Sequence, residues 1–184
     1  MAKFIKKTGK TNYYEIDGIR AGGIIPYFIR NNTVYLLINL EYRNSMLVHN
    51  IIGGKVDKKD NKISDTLIRE FNEETGFLMS DKIKEYNDRI ESDKNTYFLK
   101  KPKYLLSLIN IKENLDWYLL PYTYNKIFEN IEHFNDRDSE ELKWINLFNF
   151  NEKSSYLLTL VLNMLKNSNL FRRYNSNQND LFID

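Results

Sequence analysis

Two sets of β-branched and aromatic runs flank a single amphipathic helix, and that order most limits the folds open to this chain. The helix spans Ser64 to Thr75, with Leu67, Ile68 and Phe71 on one side and Gly76 just past its end, the usual place for a left-handed cap residue. Before it, Arg20 to Ile29 (RAGGIIPYFI) and Thr33 to Leu40 (TVYLLINL) flank the polar turn Arg30-Asn31-Asn32 and predict a hairpin. Leu47 to Ile52 adds a short apolar run that Gly53-Gly54 interrupts. Beyond the helix, Lys103 to Ile111 and Asp116 to Tyr124 flank Lys112-Glu113-Asn114-Leu115 and predict a second hairpin, and Glu141 to Leu147 alternates like a strand. Glu152 to Lys166 carries apolar residues at helical spacing, with Ser154 or Ser155 near its start. Strands on both sides of one central helix, closed by a terminal helix, predict an α/β fold: a central mixed sheet covered by helices on both faces. Asp81 to Asn95 reads equally well as a surface helix or an insertion.

The 184 residues suit one domain, and no Gly/Ser- or Pro-rich linker or internal repeat divides them. We expect an N-terminal arm over 1–17, a domain over 18–170 and a tail over 171–184 that frays after Asn175. A net charge of +2 spreads no field of one sign over the surface, so neither nucleic acid nor membrane is called for by charge alone. The basic start lacks the apolar stretch of a signal peptide, and no run approaches a membrane span, so the expected setting is cytoplasmic, without membrane association. The absence of cysteine excludes disulfides and thiolate metal sites. Oligomeric state is not legible in the sequence.

The helix has an unusual edge. At about 100° per residue, Glu70, Glu73 and Glu74 fall within an arc of about 100° directly beside the apolar arc. Acidic stripes on helices are ordinarily solvated faces. Here the like charges crowd against buried surface, where two unit charges about 4 Å apart repel by about 4 kcal/mol at an effective dielectric of 20. A hard cation reverses that sign, because carboxylate oxygens at this spacing can converge on Mg²⁺ that also holds phosphate.

The stretch resembles the Nudix signature, Gly-x5-Glu-x7-Arg-Glu-φ-x-Glu-Glu-x-Gly-φ with φ apolar. Its second half matches at every fixed position: Arg69, Glu70, Phe71, Glu73, Glu74, Gly76 and Phe77. The first half departs from it. Asp60 stands where the family has Glu, and eight residues rather than seven separate it from Arg69, so Asp60 or Asp57 takes that place. The glycine pair Gly22-Gly23, Arg43 after the second strand, Gly53-Gly54-Lys55, the strand with Trp144 and the helix after it also follow the family's order. A composition skewed toward Asn, Lys, Ile and Tyr and the altered loop further resemble the Nudix proteins of large DNA viruses.

The resemblance implies an α/β/α sandwich and a metal-dependent pyrophosphohydrolase that cleaves the diphosphate of a nucleoside diphosphate derivative. Nucleotide sugars, ADP-ribose and dinucleoside polyphosphates are examples of such small-molecule nucleotide substrates. It further implies Mg²⁺ or Mn²⁺ held by Glu70, Glu73 and Glu74 with the main-chain carbonyl of Gly53, and Arg69 orienting a glutamate. Lys55 and Arg43 are the expected substrate-binding cations. The general base in the family is a box glutamate or one on the loop before the late Trp strand; here that loop holds Asp138-Ser139-Glu140-Glu141, and Glu140 is the expected base. His133 lies close by in sequence and is left out of the core set. The alternatives are hydrolysis of capped RNA or of diphosphoinositol polyphosphates, Lys100, Lys101, Lys103, Arg172 and Arg173 being able to track an RNA backbone. A different class altogether is a non-catalytic module that senses a nucleotide; such modules lose box glutamates, and this chain keeps Glu70, Glu73 and Glu74.

Overall fold

The structure of the chain is a computed structural model, which describes residues 3–5, 13–86, 90, 95–112, 114–129 and 139–175. Strands β1 (Lys3–Ile5) and β2 (Tyr13–Glu15) pair with each other. The main sheet has seven strands: β3 (Ala21–Arg30), β4 (Thr33–Arg43), β5 (Met46–Asn50), β6 (Gly53–Lys55), β7 (Thr96–Leu99), β8 (Tyr104–Asn110) and β9 (Glu141–Asn146). Their order is β5-β4-β3-β8-β7, with β6 also on β3 and β9 also on β4. β3 and β4 are antiparallel, whereas β3 and β8 advance together, Arg20 N–H bonding the Lys103 carbonyl and Ile111 N–H that of Tyr27, so the sheet is mixed. Helices α1 (Ile63–Glu74), α2 (Ser80–Lys84), α3 (Leu115–Phe128) and α4 (Tyr156–Lys166) complete the α/β architecture. Among the described residues no helix is long and apolar enough to cross a membrane.

Contacts group the described residues into two compact units, one drawn from Met1–Ile25 and Ile52–Ile109, the other from Pro26–Ile51, Asn110–Ile131 and Ser139–Asp184. In the first unit, α1 packs its fully buried Leu67 and Phe71 inward. A Cβ on Gly22 would lie 2.6 Å from Leu67 Cδ2 and 2.9 Å from the Leu105 carbonyl, so this glycine is what lets the helix approach the sheet. The Asp65 carboxylate accepts the N–H groups of Asn61 and Lys62 at the start of the helix. At its end, Gly76 takes φ 60°, its N–H bonds the Glu73 carbonyl, and Phe77 N–H bonds Asn72, the paired bonds of a Schellman stop.

In the second unit, β3 turns into β4 through Asn31 and Asn32, both at positive φ, and β4 into β5 through Asn44 and Ser45, likewise positive. Both are two-residue hairpin loops of the kind that suits strand twist. Phe28 lies edge-on to Trp144 and Tyr118 at 4.9 and 4.6 Å. Ser155 caps α4, accepting Leu158 N–H at 3.0 Å. Phe171, fully buried, meets Tyr27 edge-on at 5.1 Å, so the chain stays packed past the end of α4.

One expected element is corrected. Asp116 to Tyr124 is not a strand but part of α3, opened by the Asn114 side chain accepting Asp116 N–H at 3.0 Å. Its buried residues, Trp117, Leu120, Pro121 and Tyr124, fall at helical spacing, and a short apolar-aromatic run satisfies either period until that face is known. The same helix continues through Tyr124 to Phe128. The expected fraying after Asn175, His133 and Asp138 lie outside the described residues.

Candidate active site

The box residues gather in the first unit around one guanidinium. β6 pairs antiparallel with β3, placing Gly54 opposite Gly22 and Lys55 opposite Ala21, and the segment after it turns into α1. Arg69 on that helix has five N–H donors, and all five are used. Nε and Nη2 form a fork on Asp60, at 3.2 Å to Oδ1 and 3.0 Å to Oδ2. Nη1 reaches Glu70 Oε1 at 2.7 Å and Glu73 Oε2 at 3.1 Å, while Nη2 also donates to the Lys55 carbonyl at 2.8 Å. Arg69 therefore orients two glutamates and ties their helix to β6. A lysine has neither the donors nor the planarity for this.

Asp60 takes the place of the expected glutamate. Its side chain is 4% exposed and also accepts the Thr66 hydroxyl at 2.7 Å and the Asp57 N–H at 2.8 Å. Burial pushes its carboxyl up, but the Arg69 bond, with those of Asp57 and Thr66 and the guanidinium's charge, outweighs burial and holds it below the ordinary aspartate value. Arg69 is in turn held above its already high value, chiefly by Asp60. Asp57 plays another part, its carboxylate accepting Lys59 N–H within the loop.

The glycines make room for the acids. A Cβ on Gly54 would lie 2.1 Å from Glu70 Oε2, so the Glu70 carboxylate rests directly against bare backbone. Gly53 donates its N–H to Glu74 Oε2 at 3.2 Å, and Glu74 is almost wholly buried. The sequence suggested a carbonyl role for Gly53; its N–H contact with Glu74, like the part of Thr66, carried no signal in the motif.

Four carboxylates against one guanidinium leave this cluster strongly negative. Among the described residues no three carboxylate or imidazole groups form a ready cage, since Glu70 and Glu73 turn to Arg69 and Glu74 to Gly53. The donor set nonetheless fits a hard divalent cation: it is all oxygen, it carries excess negative charge, and Gly54 clears the space against Glu70.

Lys55 meets the cluster through its carbonyl, and its side chain is exposed. Arg43 and Glu140 belong to the second unit. Arg43 ends β4 with its guanidinium on Glu41, whose carboxylate also accepts Asn50 Nδ2 at 2.8 Å. Glu140 donates its backbone N–H to the Leu40 carbonyl at 2.6 Å, just before β9 begins.

Comparison with known proteins gives the site its family. The NUDIX domain model matches residues 24–156, most of the chain, which therefore belongs to the Nudix family. It is a Nudix hydrolase, an enzyme acting on acid anhydrides in phosphorus-containing compounds, and diphosphate hydrolysis is its general activity. Similar solved structures include an Ap4A hydrolase of C. elegans in a binary complex, 15% identical with a TM-score of 0.42, covering 88% of this chain and 99% of that one. A second structure of C. elegans Ap4A hydrolase is 16% identical with a TM-score of 0.43, covering 79% and 93%. NrtR of Shewanella oneidensis is 10% identical with a TM-score of 0.44, covering 78% and 61%. Comparison with the curated proteins found no match.

Proposed function

We propose that this Nudix hydrolase cleaves the diphosphate linkage of a nucleoside diphosphate derivative, at a site formed by Glu70, Glu73 and Glu74 and organised by Arg69. The observation that carries this reading is the saturated Arg69, whose five donors position two of the three glutamates and fasten them to β6. A guanidinium so fully committed is a fixed part, and fixed charge is what electrostatic catalysis of phosphoryl transfer needs. Mg²⁺ or Mn²⁺ would be held by Glu70, Glu73 and Glu74 with Gly53 at the edge of the set, and when bound it would polarise the phosphate and acidify a water.

The chain's own residues do the rest. Arg69 keeps the glutamates from splaying apart. Gly54 leaves room for the Glu70 carboxylate to rest against the backbone of β6, where a side chain would displace it. Lys55 and Arg43 are proposed as substrate-binding cations from the family resemblance alone, Lys55 in the first unit and Arg43 in the second. Glu140, which belongs to the second unit, is carried over as the proposed base from the family resemblance alone; the base of such a reaction takes the proton of a water whose oxygen bonds to phosphorus as the bridging P–O bond breaks and the leaving phosphate departs with that oxygen.

Capped RNA and diphosphoinositol polyphosphates remain the alternative substrates, and the resemblance to the proteins of large DNA viruses draws no support from the comparisons. The test is a panel of ADP-ribose, nucleotide sugars, dinucleoside polyphosphates, diphosphoinositol phosphates and capped RNA, each incubated with the protein and Mg²⁺. Turnover of a nucleotide derivative ahead of the last two supports the reading. Selective turnover of capped RNA or of an inositol compound replaces it, and turnover of none refutes it.

A further inference from the structure

Within the first unit, Gly53 has a neighbour besides Glu74. A Cβ on Gly53 would lie 2.6 Å from the hydroxyl oxygen of Tyr104, so the phenol occupies the space that a side chain there would take. Tyr104 is 3% exposed and is the first residue of β8. β3 pairs with β6 and neighbours β8, so at ordinary strand spacing β6 and β8 lie about 10 Å apart. The Tyr104 side chain bridges them where β3 reads Gly22-Gly23 and offers no side chain to block the way. The Gly22 carbonyl oxygen and the Gly23 Cα lie 2.3 and 2.4 Å from the same Cβ position on Gly53.

Burying a hydroxyl costs free energy that burying a phenylalanine ring does not, and here the polar end of the ring is set against the polar backbone of glycines. The chain is shaped to put it there. Lys103, the residue before Tyr104, takes φ 66°, a left-handed conformation that a side-chain-bearing residue adopts only where its surroundings hold it. Its N–H bonds the Leu99 carbonyl and its own carbonyl accepts Arg20 N–H, both at 2.9 Å, so the entry into β8 is fixed on both sides. Gly53 needs such support. Its N–H is the group that holds Glu74 Oε2, at 3.2 Å, and a residue without Cβ is the one most free to rotate away from a partner.

We propose that Tyr104 is a positioning residue of the hydrolytic site: its buried phenol oxygen fixes the Gly53 backbone, and through it the Glu74 carboxylate, in the arrangement that takes a divalent cation. This deepens the reading of Glu70, Glu73 and Glu74 as the metal-binding set and rests on it. Tyr104 acts through Gly53 and is not itself a ligand.

Two measurements on the full chain read this role without turnover. Amide hydrogen exchange followed by NMR in metal-free protein reports on the Gly53 N–H, while the Ile24 N–H, bonded to the Ile52 carbonyl at 3.0 Å, reports on the neighbouring strand contact. Tyr104→Phe keeps the ring and removes only the hydroxyl. Gly53 exchange should quicken by about tenfold with Ile24 unchanged, a local opening and not a global one. Mn²⁺ binding followed by electron paramagnetic resonance should weaken by about tenfold in the same variant, the usual cost of losing a group that orients a ligand. Gly53 exchange and Mn²⁺ affinity both at wild-type values would overturn the proposal. Equal acceleration at Gly53 and Ile24 would overturn it too, since that is a general loss of packing, as would a loosened Gly53 with Mn²⁺ affinity unaltered. Wild-type protein that binds no Mn²⁺ would overturn both this proposal and the metal-binding set beneath it. Wild-type protein that cleaves no nucleoside diphosphate derivative, with both effects of Tyr104→Phe present, would instead remove the proposed activity and leave the role of Tyr104 standing.

Discussion

At Arg69 the number of donors equals the number of acceptors, and the first prediction follows from that balance. Arg69→Lys keeps the charge and loses the fork on Asp60, so Glu70 and Glu73 lose their common anchor. Turnover should fall by about 10–100-fold, the usual cost of removing a group that orients ligands, with a much smaller change in unfolding temperature. Equal activity in the two proteins would show that the glutamates need no such support. Asp60 gives a prediction with a sign in pH. Its folded-state pKa is depressed, so its contribution to stability is complete above the ordinary aspartate value and is lost as pH falls through the lower folded one. Urea unfolding from neutral pH downward should show that acid loss, and Asp60→Asn should lack this component. The variant should also be less stable near neutrality by about 3 kcal/mol, because a buried Arg69 contact loses its charged partner. A pH profile parallel to wild type would contradict the pairing.

At the scale of elements, two adjacent glycines in β6 should respond in opposite ways. A Cβ on Gly54 meets only the far end of the Glu70 side chain, which can swing aside; a Cβ on Gly53 meets backbone, 2.3 Å from the Gly22 oxygen and 2.4 Å from the Gly23 Cα. Gly54→Ala should therefore keep its stability within about 1 kcal/mol while losing most activity, because the displaced carboxylate is one the site uses. Gly53→Ala should lose about 2–3 kcal/mol of stability, the cost of overpacking. Unfolding curves and turnover measured side by side separate the two, and a stable, active Gly54→Ala would contradict the placement of Glu70. Element by element, legibility in the sequence followed local chemistry. The cap at Gly76 and the turn at Asn31-Asn32 were readable because a positive φ selects those residues. The helix over Leu115–Phe128 was not, because its aromatic run fits a strand equally well and its cap, Asn114, sits in what reads as a turn.

For the whole molecule, the sequence carried the family through one spaced motif and left the rest to tertiary structure. Seven matching positions named the acids and Arg69, whereas the choice between Asp57 and Asp60 depended on which carboxylate the loop turns inward. No spacing rule reports that. Nor does one report that Glu15, far from the motif, meets Lys103, since that contact joins residues 88 positions apart. The central claim, hydrolysis of a diphosphate by the glutamates around Arg69, is tested most directly by Mg²⁺-dependent turnover of one nucleoside diphosphate derivative in wild type and in Glu70→Gln, Glu73→Gln and Glu74→Gln, with unfolding temperature recorded for each. The account predicts turnover by the wild type and a fall of at least about 100-fold in the exposed-site variant Glu73→Gln without loss of fold. Wild-type activity retained in all three variants would contradict it.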